Sequence, residues 1–226
     1  MKIIGHRGAR GLEIENTLES IQRAIDLGVD GVEIDVWTSK DQVPIVIHDS
    51  SLVKTTGYKG QIFNMTHQEI LQLPTFSGQT IPTAREALST AKNTMVFLDI
   101  KDFYLSDGIR GLLHDFKSSD ILVTSANHSV LLDLHKFRPD IPLSPSTLWH
   151  PLETIEFIKK NGFYGLSLYY QSFNPIVYWL ARKNGINIRL YTVNNTSYAN
   201  LLRRLNFEVD LTTDHPHRLL PLLSRV

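Results

Sequence analysis

The sequence contains no cysteine among its 226 residues. Disulfide bonds, thiolate metal sites and cysteine nucleophiles all require a thiol, so these three kinds of chemistry are excluded. Any metal site or catalytic group must therefore be built from oxygen and nitrogen side chains.

The chain also lacks an excess of charge of either sign. It has 23 Lys plus Arg residues against 23 Asp plus Glu residues, so its formal net charge is zero with neutral histidines. Attraction to nucleic acid or to an anionic membrane surface usually comes from a basic excess. We therefore expect no nucleic-acid partner, and any electrostatic function must come from a local arrangement of charges.

Long apolar runs are missing as well. No stretch of the sequence approaches the ~18 consecutive apolar residues of a membrane-spanning helix. The first residues, Met1 to His6, do not contain the apolar core of a signal peptide. We expect a cytoplasmic protein without stable membrane insertion, and the sequence leaves the oligomeric state open.

The order of predicted elements indicates the fold. Eight predicted strands begin at Lys2, Gly31, Met95, Ile121, Ile141, Tyr164, Ile186 and Val209. A helical segment follows each strand, which is the alternation of an α/β protein and matches a TIM (β/α)8 barrel. A solenoid would require residues that recur at a fixed register, and the units share none. We therefore predict one barrel domain over residues 1–226.

One segment departs from this alternation. The apolar run Ile45-Val46-Ile47 predicts an extra strand after the second barrel strand. Residues 51–79 then show weak periodicity, with a short helical pattern near His67 to Leu73. We predict that residues 51–79 are a small insertion after the second strand, and connections of this length are usually functional.

The stretch from Gly31 to Val36 raises the main question of the sequence. Its alternation predicts a strand with Glu33 and Asp35 side by side on one face. In a parallel sheet covered on both faces, two buried carboxylates carry a desolvation cost that a bound cation would offset. The alternative is an exposed antiparallel edge strand whose polar face meets water, and the pattern alone gives the two about equal weight.

Further polar residues follow predicted strands at their C-terminal ends, where a TIM barrel carries its active site. These residues are His6, Arg7, His48, Asp99, Lys101 and Asn194. Carboxylate oxygens are the ligands that Mg²⁺ and Ca²⁺ prefer. Histidines titrate near neutral pH and suit general acid and base catalysis, and arginine or lysine suits phosphate oxygens.

These residues belong to motifs that together resemble the glycerophosphodiester phosphodiesterase family. The motifs are His6-Arg7-Gly8, Glu15-Asn16-Thr17, Glu33-Ile34-Asp35-Val36, His48-Asp49, Asp99-Ile100-Lys101, Ile81-Pro82-Thr83, Tyr191-Thr192-Val193-Asn194 and Thr213-Asp214-His215-Pro216. The resemblance covers essentially the whole chain. It implies a TIM barrel with a small insertion after the second strand. It also implies hydrolysis of a small glycerophosphodiester, such as glycerophosphocholine, to glycerol 3-phosphate and an alcohol.

The resemblance also implies the catalytic groups. His6 and His48 match the acid and base of the family, although which is which stays open. Glu33 and Asp35 match two ligands of one divalent cation, Mg²⁺ or Ca²⁺. Asp99 stands where the family motif usually has Glu, so we expect a third metal ligand with a shorter side chain.

A second group of residues is expected around the substrate. Its members are Arg7, Glu15, Lys101 and Asn194. Two of them have alternatives, because Glu15 is also suited to orienting Arg7 and Asn194 to capping the next helix. The aromatic residues Trp149, Tyr169, Tyr170 and Phe173 are expected either to form a wall for a head group or to pack between helices.

Two other functions are open at this stage. One is a lysophospholipase D-type hydrolysis of lysophospholipids by the same two histidines and metal. Such a substrate needs an apolar groove or patch at the barrel mouth, and the few bulky apolar residues of the insertion favour a small soluble diester instead. The other is a phosphodiester-binding barrel without catalysis, which the presence of both histidines and three carboxylates disfavours.

Overall fold

The computed structural model describes residues 1–76 and 78–223, so Ser77 of the predicted insertion and residues 224–226 of the predicted domain lie outside the described residues. The strands are β1 (Ile3–His6), β2 (Gly31–Thr38), β3 (Pro44–Val46), β4 (Met95–Ile100), β5 (Ile121–Ser125), β6 (Leu143–Thr147), β7 (Gly165–Tyr169), β8 (Asn187–Tyr191) and β9 (Asp210–Thr213).

The helices alternate with these strands. They are α1 (Leu18–Asp26), α2 (Val53–Thr56), α3 (His67–Leu71), α4 (Ala84–Thr90), α5 (Asp107–His114), α6 (His128–Phe137), α7 (Pro151–Asn161), α8 (Pro175–Lys183), α9 (Thr196–Arg204) and α10 (Pro216–Leu223). Short 3-10 helices occur at Ile62–Asn64 and Tyr170–Ser172. Within the described part of the chain, no helix combines the length and the apolar character that crossing a bilayer requires.

Eight parallel strands close into a barrel. The hydrogen-bonded order runs β1, β9, β8, β7, β6, β5, β4, β2, and β1 also pairs with β2, which joins the two ends. The ninth strand, β3, pairs antiparallel with the C-terminal end of β2, where Val36 lies opposite Val46, and stays outside the ring. The predicted TIM barrel is therefore confirmed.

The two faces of the strands have different surroundings. On β4, Leu98 and its neighbours of the same face belong to the large apolar core between the strands and the helices. Phe97 points into the barrel, where it packs with Ile4 and Leu122 at the N-terminal end of the interior. Towards the C-terminal ends of the strands, the side chains that point into the barrel are polar. The interior is therefore apolar at its N-terminal end and polar at its C-terminal end.

The position of β2 resolves the question of Glu33 and Asp35. The strand lies between β1 and β4, and Glu33 and Asp35 are only 4% and 1% exposed. The alternative of a solvated edge strand is therefore wrong. The register places Glu33 beside His6 of β1 and Asp35 beside Asp99 of β4, so parallel pairing alone brings three predicted ligands and a histidine together.

The segment after β3 forms its own small layer beside the barrel. It contains α2, the 3-10 helix at Ile62–Asn64 and α3, which is the helix expected near His67. Leu52, Ile62 and Ile70 pack in a separate apolar cluster with Trp37 of β2 and Ile45 of β3. This cluster fixes the segment at the mouth of the barrel.

Five barrel strands begin later than predicted: four begin one residue later, at Ile3, Gly165, Asn187 and Asp210, and one begins two residues later. The strand expected from Ile141 begins at Leu143 and continues to Thr147. After Leu143 the strand contains few apolar residues and includes Pro145. Ser144 and Ser146 face the polar interior of the barrel, where no apolar side chain is required. An apolar pattern therefore could not mark this strand.

The outward face of β4 gives a stability prediction. Leu98 is fully buried, so Leu98→Ala should lower the free energy of unfolding by about 2–5 kcal/mol through lost burial and a cavity. Urea denaturation measures the change. As a control, Leu201→Ala removes a half-exposed side chain from α9 and should change the same free energy by less than about 0.5 kcal/mol. Equal effects of the two substitutions would contradict this description of the core.

Candidate active site at the mouth of the barrel

A cavity of about 560 Å³ opens at the C-terminal ends of the strands. Seven of the nine sequence-predicted site residues line it: His6, Arg7, Glu33, Asp35, His48, Asp99 and Lys101. They come from β1, β2, β4 and the connections that follow β1, β3 and β4. Because these strands are parallel and adjacent, residues distant in sequence meet at one end of the barrel.

Three carboxylates form the floor of this cavity. Glu33, Asp35 and Asp99 each offer an oxygen atom, and these atoms lie within 4.8 Å of one another. Burial raises the pKa of Glu33, with the charge of Asp35 as the next cause. Burial also raises the pKa of Asp99 above its ordinary range. Both directions show that this concentration of negative charge is costly without a nearby cation.

Lys101 lies directly on two of the carboxylates. Its Nζ atom is 2.5 Å from Asp99 Oδ2 and 3.0 Å from Asp35 Oδ1. Burial alone would lower the pKa of Lys101, but Asp99 and Asp35 raise it. Burial likewise would raise the pKa of Asp35, whereas the charges of Lys101 and Arg7 lower it. Lys101 is therefore a permanent positive charge at the cavity wall.

Arg7 contacts the carboxylates with its backbone as well as its side chain. It adopts a left-handed backbone conformation with φ of 53°, and its N–H donates to Glu33 Oε2 at 3.0 Å. Nη1 donates to Glu15 Oε1 at 2.6 Å, and Nε lies 3.0 Å from Asp35 Oδ2 without the alignment of a hydrogen bond. Such a conformation is uncommon outside glycine and is found at functional sites.

The three carboxylates suit a divalent cation. Asp99 Oδ1 is buried and has no hydrogen-bond partner among the described residues. A buried carboxylate oxygen without a partner is costly, and an ion bound beside it would remove that cost. The donors are all carboxylate oxygens, which hard ions such as Mg²⁺ and Ca²⁺ prefer. The residues therefore fit the expected metal site.

His6 is oriented by the carboxylate of Asp214, which directly follows β9, the last strand of the barrel. Its Nδ1 donates to Asp214 Oδ1 at 2.6 Å, while Asp214 Oδ2 accepts a hydrogen bond from Asn194 Nδ2 at 2.7 Å. Burial would raise the pKa of Asp214, but the hydrogen bond with His6 lowers it to about 2. The other ring nitrogen, Nε2, is 4.0 Å from Glu33 Oε2 and faces the cavity.

His48, the second predicted catalytic histidine, is also held by an aspartate through its Nδ1 atom. Its Nδ1 donates to Asp49 Oδ1 at 2.8 Å, and Asp49 Oδ2 lies 2.6 Å from Lys54 Nζ of α2. The indole Nε1 of Trp37 donates to the carbonyl oxygen of His48 at 3.0 Å. The segment after β3 thus fixes this histidine through both its side chain and its backbone. Each of the two histidines keeps Nε2 free because an aspartate holds Nδ1.

Two predicted site residues stand behind the cavity wall. Glu15 makes ion pairs with Arg7 and also with Arg10, whose Nε is 2.7 Å from Glu15 Oε2. Asn194 uses its Oδ1 to accept from the N–H of Asp214 at 2.9 Å. The carboxylate of Glu15 and the amide of Asn194 are both bonded to other side chains or backbone groups of the protein. Asn194 does not cap α9, because the N-cap of that helix is Asn195. Glu15 therefore holds Arg7 and Asn194 holds Asp214, and the predicted substrate contacts of Glu15 and Asn194 stay predictions.

Sequence reasoning missed Arg189 of β8. Its side chain is buried, with Nη2 2.7 Å from Ser167 Oγ and the guanidinium 4.8 Å above the Phe97 ring. Burial lowers the pKa of Arg189, and the charges of Glu33 and Asp99 act in the opposite direction. A charged residue between Ile188 and Leu190 in a strand is the same pattern that drew attention to Glu33, so this residue could have been found.

The contact between His6 and Asp214 leads to a prediction. In Asp214→Asn the side chain keeps its shape but loses the charge that orients His6, so kcat should fall roughly 10–100-fold, the usual cost of losing such a partner in metal enzymes. Steady-state kinetics on glycerophosphocholine measures the change. The control Asp133→Asn alters a half-exposed carboxylate of α6 that pairs with Lys136. Wild-type kcat in Asp214→Asn would show that the orientation of His6 does not depend on this charge.

Comparison with known proteins agrees with this geometry. A sequence model of the "Glycerophosphoryl diester phosphodiesterase family" matches residues 6–105, which include both histidines and the three carboxylates. A glycerophosphodiester phosphodiesterase of Caldanaerobacter subterraneus subsp. tengcongensis is 29% identical, and the alignment covers 99% of this chain and 98% of the relative.

Solved structures give the same result. An Oleispira antarctica phosphodiesterase in complex with the product sn-glycerol-3-phosphate has a TM-score of 0.89 at 25% identity, with 99% of this chain and 96% of that chain covered. A glycerophosphodiester phosphodiesterase from Thermotoga maritima has a TM-score of 0.82 at 26% identity, with 98% of each chain covered. The chain therefore belongs to the glycerophosphoryl diester phosphodiesterase family and is a phosphoric diester hydrolase.

Proposed function

We propose that this protein hydrolyses small glycerophosphodiesters, such as glycerophosphocholine, to glycerol 3-phosphate and an alcohol with one divalent cation. The main support is the arrangement of two histidines, each held by an aspartate, around three carboxylates in one cavity. A site that only bound a phosphodiester would have no use for two oriented imidazoles beside a metal-binding cluster.

In this proposal, Glu33, Asp35 and Asp99 hold Mg²⁺ or Ca²⁺. When bound, the cation supplies stabilisation of the negative charge that builds on the phosphate oxygens. Lys101 adds a permanent positive charge beside the carboxylates. The guanidinium of Arg7, which is held between Glu15 and Asp35, contributes a second positive charge. The phosphate group therefore binds where positive charge is concentrated above the carboxylate floor.

The two histidines move the protons. The Nε2 atom of one imidazole takes the proton of the attacking hydroxyl. Attack by water gives glycerol 3-phosphate directly, whereas attack by the hydroxyl of the neighbouring glycerol carbon gives a cyclic phosphate, which a water molecule must then open to glycerol 3-phosphate. The Nε2 atom of the other imidazole gives a proton to the oxygen of the leaving alcohol. Asp214 and Asp49 keep each ring in the tautomer that this transfer needs and stabilise its protonated form.

The proposed reaction is tested by identifying its products. Wild-type enzyme with Mg²⁺ is incubated with glycerophosphocholine, and phosphorus NMR follows the phosphorus-containing product. The expected products are glycerol 3-phosphate and choline. Phosphocholine with glycerol would show that the other ester bond is cleaved, and the absence of any turnover would favour a binding protein without catalysis.

A second substrate in the same assay tests the lysophospholipase alternative. Lysophosphatidylcholine at a concentration below micelle formation differs from glycerophosphocholine only by its acyl chain. We expect the smaller diester to have the higher kcat/KM. A higher kcat/KM for the lysophospholipid would instead favour a lipid substrate.

A further inference from the structure

We propose that an aromatic corner beside the catalytic cavity binds a quaternary ammonium group, and that choline diesters are the preferred substrates. The corner consists of Trp149, Tyr169, Tyr170 and Tyr191. This inference rests on the proposed function and adds the chemical class of the leaving alcohol.

The rings of the corner stand at steep angles to one another. Trp149 and Tyr169 have ring centroids 5.3 Å apart and planes at 78°, and Tyr169 and Tyr170 are 5.2 Å apart at 70°. Tyr191 lies 6.4 Å from Tyr169 at 51°. The first two pairs are edge-to-face contacts, so these rings meet as walls of one corner, and ring faces that remain open to the cavities are able to contact a compact cation.

Trp149 is not consumed by packing between helices, whereas Tyr170 also packs against Tyr198 of α9. Trp149 is 61% exposed although it is a large aromatic residue. Phe173, which belonged to the same expected group, packs instead against Tyr178 and Phe207. The structure therefore separates the two alternatives for this group: Phe173 is packing, while the other three rings line cavities at the mouth.

The corner is continuous with the catalytic cavity. Tyr169, Tyr170 and Tyr191 line the catalytic cavity itself. Trp149 lines an adjacent cavity of about 470 Å³, which shares Ser146, Leu148 and Tyr191 with the first. A substrate whose phosphate lies at the carboxylates can therefore extend its alcohol towards these rings without crossing a protein wall.

The charge of the corner suits a cation. Glu153 at the start of α7 also lines the adjacent cavity; its carboxylate is largely exposed and lies 3.6 Å from Nδ1 of His150. The hydroxyl of Tyr191 is engaged, because it donates to the carbonyl oxygen of Thr147 at 3.2 Å. A trimethylammonium group has no N–H to donate and is recognised by aromatic faces and a nearby negative charge.

The opposite side of the catalytic cavity has a mixed lining, with apolar residues such as Ile14, Phe76 and Ile81 beside polar ones. A second neighbouring cavity of about 470 Å³ shares Arg7, Arg10 and His48 with the catalytic cavity. Its wall also carries Asn16 and several threonines, which are groups that hydrogen-bond to hydroxyls. We place the glycerol end of the substrate beside these hydrogen-bonding groups, which leaves the aromatic side for the other alcohol.

The test compares two diesters that differ in the second alcohol. We would measure kcat/KM for glycerophosphocholine and for glycerophosphoglycerol with wild type, Trp149→Ala and Trp149→Phe. Wild type should prefer the choline diester. Trp149→Ala should reduce that preference roughly 5- to 30-fold by removing a cation–π contact, and Trp149→Phe should keep most of it. The control Phe103→Ala removes an exposed ring at another part of the rim and should leave the preference unchanged.

A measurement on wild type makes the test independent of how the variants fold. Tetramethylammonium chloride should inhibit glycerophosphocholine hydrolysis competitively, whereas sodium chloride at the same ionic strength should not. Equal hydrolysis of both diesters, or no inhibition by tetramethylammonium, would overturn the head-group site while leaving the proposed reaction intact. If wild type hydrolyses neither diester, the proposed function itself is wrong.

Discussion

His6→Asn and His48→Asn should each lower kcat for glycerophosphocholine by about 10²–10⁴-fold, the usual cost of losing a general acid or base. An asparagine amide can take the place of Nδ1 and donate to Asp214 or Asp49, so the local hydrogen bond is retained. What is lost is Nε2, the only nitrogen of each ring that is free to exchange a proton with the substrate. Steady-state kinetics with saturating Mg²⁺ measures the change.

A matched control separates this effect from a general loss of structure. His114→Asn alters an exposed histidine at the end of α5 and should leave kcat unchanged. Thermal unfolding of all three variants should resemble that of wild type, because the two active-site variants keep the hydrogen bond of Nδ1 and His114 is largely exposed. If either active-site variant retains most of the wild-type kcat, that histidine is not an acid or base in the reaction.

Asp99→Asn should weaken the binding of Mg²⁺ or Mn²⁺ by more than about 100-fold. Replacing a residue that only hydrogen-bonds to a metal ligand already lowers metal affinity by about 10–100-fold, and loss of a ligand should cost more. Asp99 is the most informative of the three carboxylates, since its Oδ1 is buried without a hydrogen-bond partner. Isothermal titration calorimetry with each ion measures the affinity directly, without relying on turnover.

Two further variants sharpen this test. Asp99→Glu restores a carboxylate of the length that the family motif usually has, so it should keep metal binding within about tenfold of wild type. Asp107→Asn removes an almost fully exposed carboxylate at the start of α5 and serves as the control. Wild-type affinity in Asp99→Asn would mean that the ion is held elsewhere or without this residue.

The barrel could be predicted because its strands have a regular pattern. Alternating apolar positions and a helix after each strand identified the eight barrel strands. Glu33 and Asp35, two carboxylates in an otherwise apolar strand, indicated that one face of β2 lines a site. The pattern failed where the interior side chains are small and polar, as at Ser144 and Ser146 of β6. It also gave no indication of α2, which has only four residues and no buried side chain.

The site was predicted less completely than the fold. Strand ends marked His6, Glu33 and Asp99, because chain order and parallel pairing decide where these residues lie. The link between His6 and Asp214 joins residues 208 positions apart, and sequence patterns do not show which loop side chains meet across a closed barrel. The hydrogen bond from Asn194 to Asp214 could not be predicted for the same reason, since it also joins two loops of the closed barrel.

The central claim is that this cavity hydrolyses a phosphodiester with a divalent cation held by Glu33, Asp35 and Asp99. The most direct test is glycerol 3-phosphate release from glycerophosphocholine by wild-type enzyme that has been treated with EDTA and desalted. Activity should fall to the background level and return when Mg²⁺ or Ca²⁺ is added. Full activity in the chelated and desalted enzyme would contradict the claim.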